Sequence, residues 1–287
     1  MSARTTVPSV QAHKARRGAE PLVMVTAYDA PGARMADEAG VDMILVGDSL
    51  AMVVLGYDDT LSVTTEDMAH HTAAVARARP APLVVADLPW MSYHVSTEDT
   101  VRNAATLVRA GAQAVKLEGG RKRVPMIEAL VDAEIPVMGH IGLTPQSVNA
   151  MGGFKVQGRE QSAALALVDD AKALAHAGCF AIVCEGMPDE VARMVTDAVD
   201  VPTIGIGAGS ACDGQVLVLH DVLGIEDRIT PKFVRRYASL KADAVEALRA
   251  YATDVRTGRF PGPDESYHLS AEASEALGLY GSTAHTA

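Results

Sequence analysis

Gln113–Gly120 reads QAVKLEGG, an apolar run that carries a lysine and is closed by a glutamate and two glycines. Two earlier stretches share its form, MILVGDS (Met43–Ser49) and PLVVADLP (Pro82–Pro89). Each is short and rich in Val, Ile and Leu, and each stops at an acid: Asp48, Asp87 and Glu118. Continuous apolar runs of this length suit strands that are covered on both faces, as in a parallel sheet. A carboxylate just past a buried strand is costly unless it meets a cation, a proton or hydrogen-bond donors. Three such ends in one chain point to a shared divalent-metal site at one mouth of a parallel sheet.

Five further runs extend the pattern: LVMVTAY (Leu22–Tyr28), PVMGHIG (Pro136–Gly142), FAIVCEG (Phe180–Gly186), PTIGIGAG (Pro202–Gly209) and VLVLHD (Val216–Asp221). Between them lie amphipathic stretches such as TTEDMAHHTAAVARAR and STEDTVRNAATLVRAGA. Thr64 and Ser96, each followed by Glu and Asp, read as helix N-caps with acids in the first turn, and Gly40, Gly111 and Gly178 as helix stops. Eight strands separated by helices predict an α/β fold, a (β/α)8 TIM barrel, spanning residues 1–287 as a single domain. Residues 1–20 read as a mobile N-terminal arm and 270–287 as a flexible tail. Helix is expected from Pro231 to about Thr257. One interval resists the pattern: SACDGQ, between the seventh and eighth runs, is too short for a crossover helix. Either a loop replaces that helix or one strand is misplaced.

The composition is 48% hydrophobic but only 4% aromatic, so small branched side chains must fill the interior. A net charge of −11 argues against nucleic acid as a partner, because that binding draws on clustered Lys and Arg. No segment is long and apolar enough to span a bilayer, and the N-terminus lacks the apolar centre of a secretory signal. Cys179, Cys184 and Cys212 are odd in number and form no close ligand pair, which disfavours a disulfide framework and fits a reducing, cytoplasmic setting.

Barrel enzymes place their chemistry at the C-terminal ends of the strands. Those ends carry Asp48–Ser49, Asp87, Lys116 with Glu118, His140, Glu185, the glycines of GIGAG and His220–Asp221. Asp48, Asp87 and Glu118 offer the hard oxygen ligands that Mg2+ takes; alternatively, each acid caps a following helix. Lys116 and Glu118 stand at alternate positions and share one face of their strand. Lys116 would neutralise a substrate carboxylate, or pair with a neighbouring acid. His140 would donate to a developing oxyanion, or be a satisfied core group. Glu185 is the candidate general base. Gly205, Gly207 and Gly209 would present N–H groups to a phosphate, or reflect tight packing.

The strings VTAYD, LVGDSLAMVVLGYDDTLSVT, VVADLPWMSY, VKLEGG, VMGHIGLTPQSV, GGFKVQGR and IGIGAG closely resemble the ketopantoate hydroxymethyltransferase (3-methyl-2-oxobutanoate hydroxymethyltransferase) family, from about Pro21 to His268. The resemblance implies a barrel of the phosphoenolpyruvate mutase/isocitrate lyase-like superfamily. It implies transfer of a one-carbon unit from 5,10-methylenetetrahydrofolate to 3-methyl-2-oxobutanoate, giving 2-dehydropantoate for pantothenate and coenzyme A synthesis through a Mg2+-stabilised enolate. On the same ground the metal ligands are Asp48, Asp87 and Glu118, the substrate contacts Asp48, Ser49, Asp87, Lys116 and His140, and the proton acceptor Glu185. The family also implies a cytoplasmic homodecamer whose partners are small molecules, the 2-oxo acid and the folate. The nearest alternative is a Mg2+-dependent carbon–carbon lyase or mutase acting on a 2-oxo acid, but those enzymes carry a catalytic Cys in a K-K-C-G-H loop that this chain lacks. A metabolite-sensing barrel without a base is the other alternative, and Glu185 weighs against it.

Overall fold

The computed structural model describes residues 4–14, 20–228 and 231–278. Eight parallel strands close into a barrel in sequence order, β1 pairing with both β2 and β8. The strands are β1 (Leu22–Thr26), β2 (Met43–Val46), β3 (Leu83–Asp87), β4 (Ala114–Lys116), β5 (Val137–Gly142), β6 (Ala181–Glu185), β7 (Thr203–Ile206) and β8 (Gly214–Leu217). The fold is the (β/α)8 TIM barrel that the spacing of the runs predicts.

The helices follow the local chemistry. After the N-terminal α1 (Val7–Gln11) come α2 (Ala30–Glu38), α3 (Leu50–Val53) and α4 (Thr65–Arg77), then α5 (Thr97–Ala110) and α6 (Val124–Asp132). The series continues with α7 (Val148–Met151), α8 (Gln161–His176), α9 (Asp189–Ala198) and α10 (Leu219–Val222). Thr64 caps α4 in a reciprocal box with Asp67, and Ser96 accepts from the Asp99 N–H at the start of α5, so both expected caps are present. Gly111 ends α5 with φ +114°, where a side chain would be strained.

Side-chain alternation divides the core in two. Met24, Met43, Leu45, Leu83, Val85, Ala114, Met138, Ala181, Val183, Ile204 and Val216 fill the barrel interior. Val25, Ile44, Val46, Val84, Ala86, Val115, Ile182 and Cys184 face outward and pack against the helices. Continuing the inward parity toward the strand ends leads to Asp87, Lys116, His140 and Glu185. The apolar filling therefore gives way to ionisable groups at one mouth.

Three expectations need correction. The N-terminal segment is no mobile arm over its described part. Thr6 and Pro8 set α1, Thr5 N–H donates to Ala81 O at 3.0 Å, and Val10 is fully buried among the interior side chains. Lys14 then reaches Asp213 Oδ2 and Thr196 O, both at 2.8 Å. The segment therefore plugs the base of the barrel. The eighth strand begins two residues earlier than expected, because Gly214 lets β8 approach β1 closely, where a Cβ would stand 2.6 Å from Leu22 O. His220 and Asp221 consequently belong to α10, whose first N–H donates to Thr26 Oγ1 at 2.9 Å. The short β7–β8 interval is a loop, tied by Asp213 Oδ2 to Thr203 N–H and Oγ1. Helix does not start at Pro231 either: Tyr237 N–H is drawn to Val222 O at 2.8 Å, away from helical pairing.

By contact the chain divides into two compact units, Met1–Ala238 and Ser239–Ala287. The barrel lies wholly in the first. The second holds α11 (Leu240–Arg256) and, within the stretch expected to be a flexible tail, α12 (Ala271–Ala276), which Ser270 caps. Residues 279–287 lie outside the described part. No helix among the described residues is long and apolar enough to cross a membrane.

Candidate active site

The three acids at the strand ends are not helix caps. Ser49, not Asp48, precedes α3, and neither Asp87 nor Glu118 caps a helix. Instead all three are buried, at 2–4% exposure, and linked at the mouth. Asp48 N–H donates to Asp87 Oδ2 at 3.0 Å. Lys116 Nζ lies 2.8 Å from Asp87 Oδ1 in a buried ion pair. His140 lies between two carboxylates, Nδ1 at 3.3 Å from Glu118 Oε1 and Nε2 at 3.2 Å from Glu185 Oε2. Lys116 Nζ also approaches His140 Nδ1 at 3.3 Å. Ser49 joins through its hydroxyl, 2.9 Å from the Tyr28 hydroxyl. Asp48, Ser49, Asp87, Lys116, Glu118, His140 and Glu185 thus stand together at this one mouth.

Two side chains that sequence reasoning passed over hold the acids in place. Gln146 is buried, and its Nε2 donates to Asp48 Oδ2 at 2.8 Å and to Leu88 O at 3.0 Å, while its backbone N–H donates to Glu118 Oε2 at 3.0 Å. Tyr93 donates its hydroxyl to Gln146 Oε1 at 2.5 Å and accepts the Glu118 N–H at 3.2 Å. Both lie in strings already notable as sequence, GHIGLTPQS and VVADLPWMSY, but on loops, where no periodicity marks them. Gly142 shows how tightly the rim is built. Its φ is +94°, and a Cβ there would stand 2.1 Å from Glu185 O.

The electrostatics show a shortage of positive charge. Burial, then the charges of Asp87 and Glu118, push Asp48 well above the usual carboxylate range, against the pull of Lys116 and Gln146. Burial also lifts Asp87 despite the Lys116 ammonium beside it. Burial would lift Glu118 too, but the hydrogen bond and charge of His140, with Lys116, bring it below its ordinary value. Burial opposes the charge on Lys116, yet Asp87, Glu118 and Asp48 raise its pKa, so it stays an ammonium. His140 is pushed up to about 9: burial and Lys116 act against the charge, and the contacts with Glu118 and Glu185 prevail. Were all four carboxylates ionised, one ammonium and one imidazolium would leave them two charges short, which a divalent cation would supply as Asp48 gives up the proton that its buried, acidic surroundings favour.

That shortage, together with the all-oxygen donor set of Asp48, Asp87 and Glu118 at one mouth, fits a hard cation held by oxygen. Among the described residues no three His, Cys, Asp or Glu form a ready cage. Mg2+ does not need a closed one, since it keeps several waters, through which an acid that does not touch the ion directly can still hold it. The GIGAG glycines answer to packing: a Cβ on Gly207 would stand 2.7 Å from the Phe233 ring, and one on Gly209 2.3 Å from Asp189 Cβ. The three cysteines are free and buried, and Cys184 faces the helix layer, on the opposite side of β6 from Glu185.

A family model described as ketopantoate hydroxymethyltransferase matches residues 4–263. The 3-methyl-2-oxobutanoate hydroxymethyltransferase of Syntrophobacter fumaroxidans is 56% identical over 281 residues, covering 97% of this chain and 99% of its own. That of a Methylobacterium species is 57% identical over 272 residues, covering 95% and 94%. Among solved structures, 2,3-dimethylmalate lyase, a member of the phosphoenolpyruvate mutase/isocitrate lyase superfamily, superposes with a TM-score of 0.58 at 20% identity over 96% of each chain, a likeness of fold. Family match, identity and barrel agree: the chain belongs to the ketopantoate hydroxymethyltransferase family.

Proposed function

We propose that this chain transfers a one-carbon unit from 5,10-methylenetetrahydrofolate to 3-methyl-2-oxobutanoate, yielding 2-dehydropantoate and tetrahydrofolate on the route to pantothenate. The observation that carries this reading is the uneven exposure of the four acids. The side chains of Asp87 and Glu118 are 3% exposed, whereas Glu185, last on β6, is 15% exposed. One carboxylate at the rim can meet a substrate proton, while the buried ones suit a cation.

Asp48, Asp87 and Glu118 would hold that cation, which as a Lewis acid draws charge from the keto oxygen and acidifies the neighbouring C–H. Lys116, fixed by Asp87, would receive the substrate carboxylate, and the Ser49 hydroxyl, steadied by Tyr28, would orient it. Glu185 would take the C3 proton, and His140 holds Glu185 toward the cradle. The electron pair left on C3 forms the enolate and then the new bond to the methylene carbon of the donor. Both carbon–nitrogen bonds of that methylene carbon break as its C–C and C–O bonds form; water supplies the product hydroxyl, and the freed nitrogens of the donor take up two protons, one from C3 and one from water. By the same family resemblance the protein acts in the cytoplasm as a homo-oligomer, a decamer of small-molecule-binding barrels.

The test is exchange of the C3 hydrogen of 3-methyl-2-oxobutanoate with D2O in the presence of Mg2+ and without folate. The wild type should exchange, and Glu185→Gln should lower the rate by about 10²-fold or more while the oxo acid still binds. Exchange that is equal in the two proteins overturns the role of Glu185.

A further inference from the structure

One cation at the mouth is not used by this chemistry. Arg123 ends the basic run Arg121–Arg123 that follows the Glu118–Gly120 turn. Arg121 is tied to Asp170 at 2.8 Å. Arg123 instead lies over Tyr93, its Cζ 5.3 Å from the ring centroid. Its Nε is buried with no hydrogen-bond partner, and no carboxylate among the described residues pairs with it. Gly119, with φ +118°, makes room for the stem, since a Cβ there would stand 3.0 Å from Arg123 Cγ.

His94 lies against the same tyrosine, ring centroids 4.2 Å apart, and its Nδ1 is also buried without a partner. Burial and the Arg123 charge push its pKa down to about 4, so it is a neutral ring with one donor and one acceptor nitrogen. Buried polar atoms are almost always satisfied, so two orphans around one ring require an explanation. In a chain with 36 acidic residues, an arginine left without an acid is available to a ligand oxygen.

We propose that Arg123 and His94, seated on Tyr93, form the subsite for the one-carbon donor and grip an oxygen on its fused heteroaromatic ring. This rests on the function proposed above and adds where the donor binds. The ring, rather than the acidic tail, follows from position. Tyr93 touches Gln146 and the Glu118 N–H, so the subsite is one side chain away from the acids that would hold the oxo acid. The transferring carbon must come within bonding distance of that acid, and the ring is the part of the donor next to it. The same loop presents Trp90 and Met91, 41% and 46% exposed, as apolar surface on which a flat ring stacks. Met91 holds φ +68°, the kind of strain that gathers at ligand clamps.

The experiment is steady-state kinetics of Arg123→Gln and Arg123→Lys with each substrate varied in turn. Arg123→Gln should raise the KM for 5,10-methylenetetrahydrofolate about tenfold or more, with a much smaller change in the oxo acid's KM. Arg123→Lys keeps the stem and charge but loses the planar fork, so it should show most of that rise and reads the subsite even if the glutamine variant fails to fold. Equal donor KM values in wild type and Arg123→Lys overturn the subsite. Binding of a tetrahydropterin without the glutamate tail should weaken as much as binding of tetrahydrofolate; if only tetrahydrofolate weakens, Arg123 holds the tail and the ring assignment is wrong. Failure of the underlying function would show separately, as no donor turnover by the wild type.

Discussion

Replacing Lys116 by methionine removes a buried charge while keeping the length of its stem. Lys116 is 3% exposed, pairs with Asp87 at 2.8 Å, and also feels the charges of Glu118 and Asp48. Removing one partner of a buried ion pair costs about 3–5 kcal/mol, because the other charge is left without compensation. With an unfolding entropy of about 2.1 cal/mol/K per residue, 287 residues convert this into a fall in Tm of about 5–8 °C. The loss depends on pH. Burial already lifts the Asp87 pKa, and without the ammonium it rises further, above its unfolded value. The folded variant then binds a proton more readily than the unfolded chain, so the penalty is full above the folded pKa and fades as the pH falls. A divalent cation supplies the missing charge. At about 100 times its Kd, binding adds about 2.7 kcal/mol, and the variant should gain at least as much as the wild type because its acids have lost their ammonium. Differential scanning calorimetry in acidic and alkaline buffer, with and without Mg2+, reads each part. A variant that melts with the wild type in alkaline buffer without Mg2+ would refute the reasoning, as would a Mg2+ shift smaller than that of the wild type.

Cation binding should also release protons. Asp48, lifted well above the usual carboxylate range, must ionise to serve as a ligand, so Mg2+ affinity should fall as the pH drops through its raised pKa. Titration calorimetry in buffers of different ionisation enthalpy counts the protons, and none released would mean that Asp48 is already ionised in the free protein. At the opposite end of the barrel, Val10→Ala opens a cavity in the interior cluster and should cost about 1–3 kcal/mol of stability. Thermal melts should show that loss with kcat unaltered, and a fall in kcat at unchanged Tm would contradict the division between a structural base and a chemical mouth.

Much of this architecture could be read from the chain because a parallel strand has a period of two and a buried strand is apolar throughout. Val85 and Asp87, Ala114 and Lys116, Met138 and His140, and Val183 and Glu185 each share a face, so an inward apolar residue followed two places later by an ionisable one marks the mouth. What could not be read depends on turns. The eighth strand was displaced because VLVLHD looks continuous, whereas Gly214 sets the start of pairing and Leu219 opens a helix against Thr26. The N-terminal segment is short and half polar, and only the open base of a closed barrel gives Val10 somewhere to be buried.

Gln146 shows the limit most clearly. A glutamine on a loop has no periodic signature, and its role is set by the groups that converge on it. Asp48 comes from the end of β2, Glu118 from the end of β4 and Tyr93 from the loop after β3, and each arrives by its own route. Its one side chain and one N–H meet two of the three candidate metal ligands. Tyr93 then carries the same network outward to Arg123, where the donor subsite is proposed. If both substrates are held as proposed, Gln146 and Tyr93 fix the distance between them. The placement of the reacting carbons would then depend on loop residues whose chemistry is purely that of hydrogen bonding.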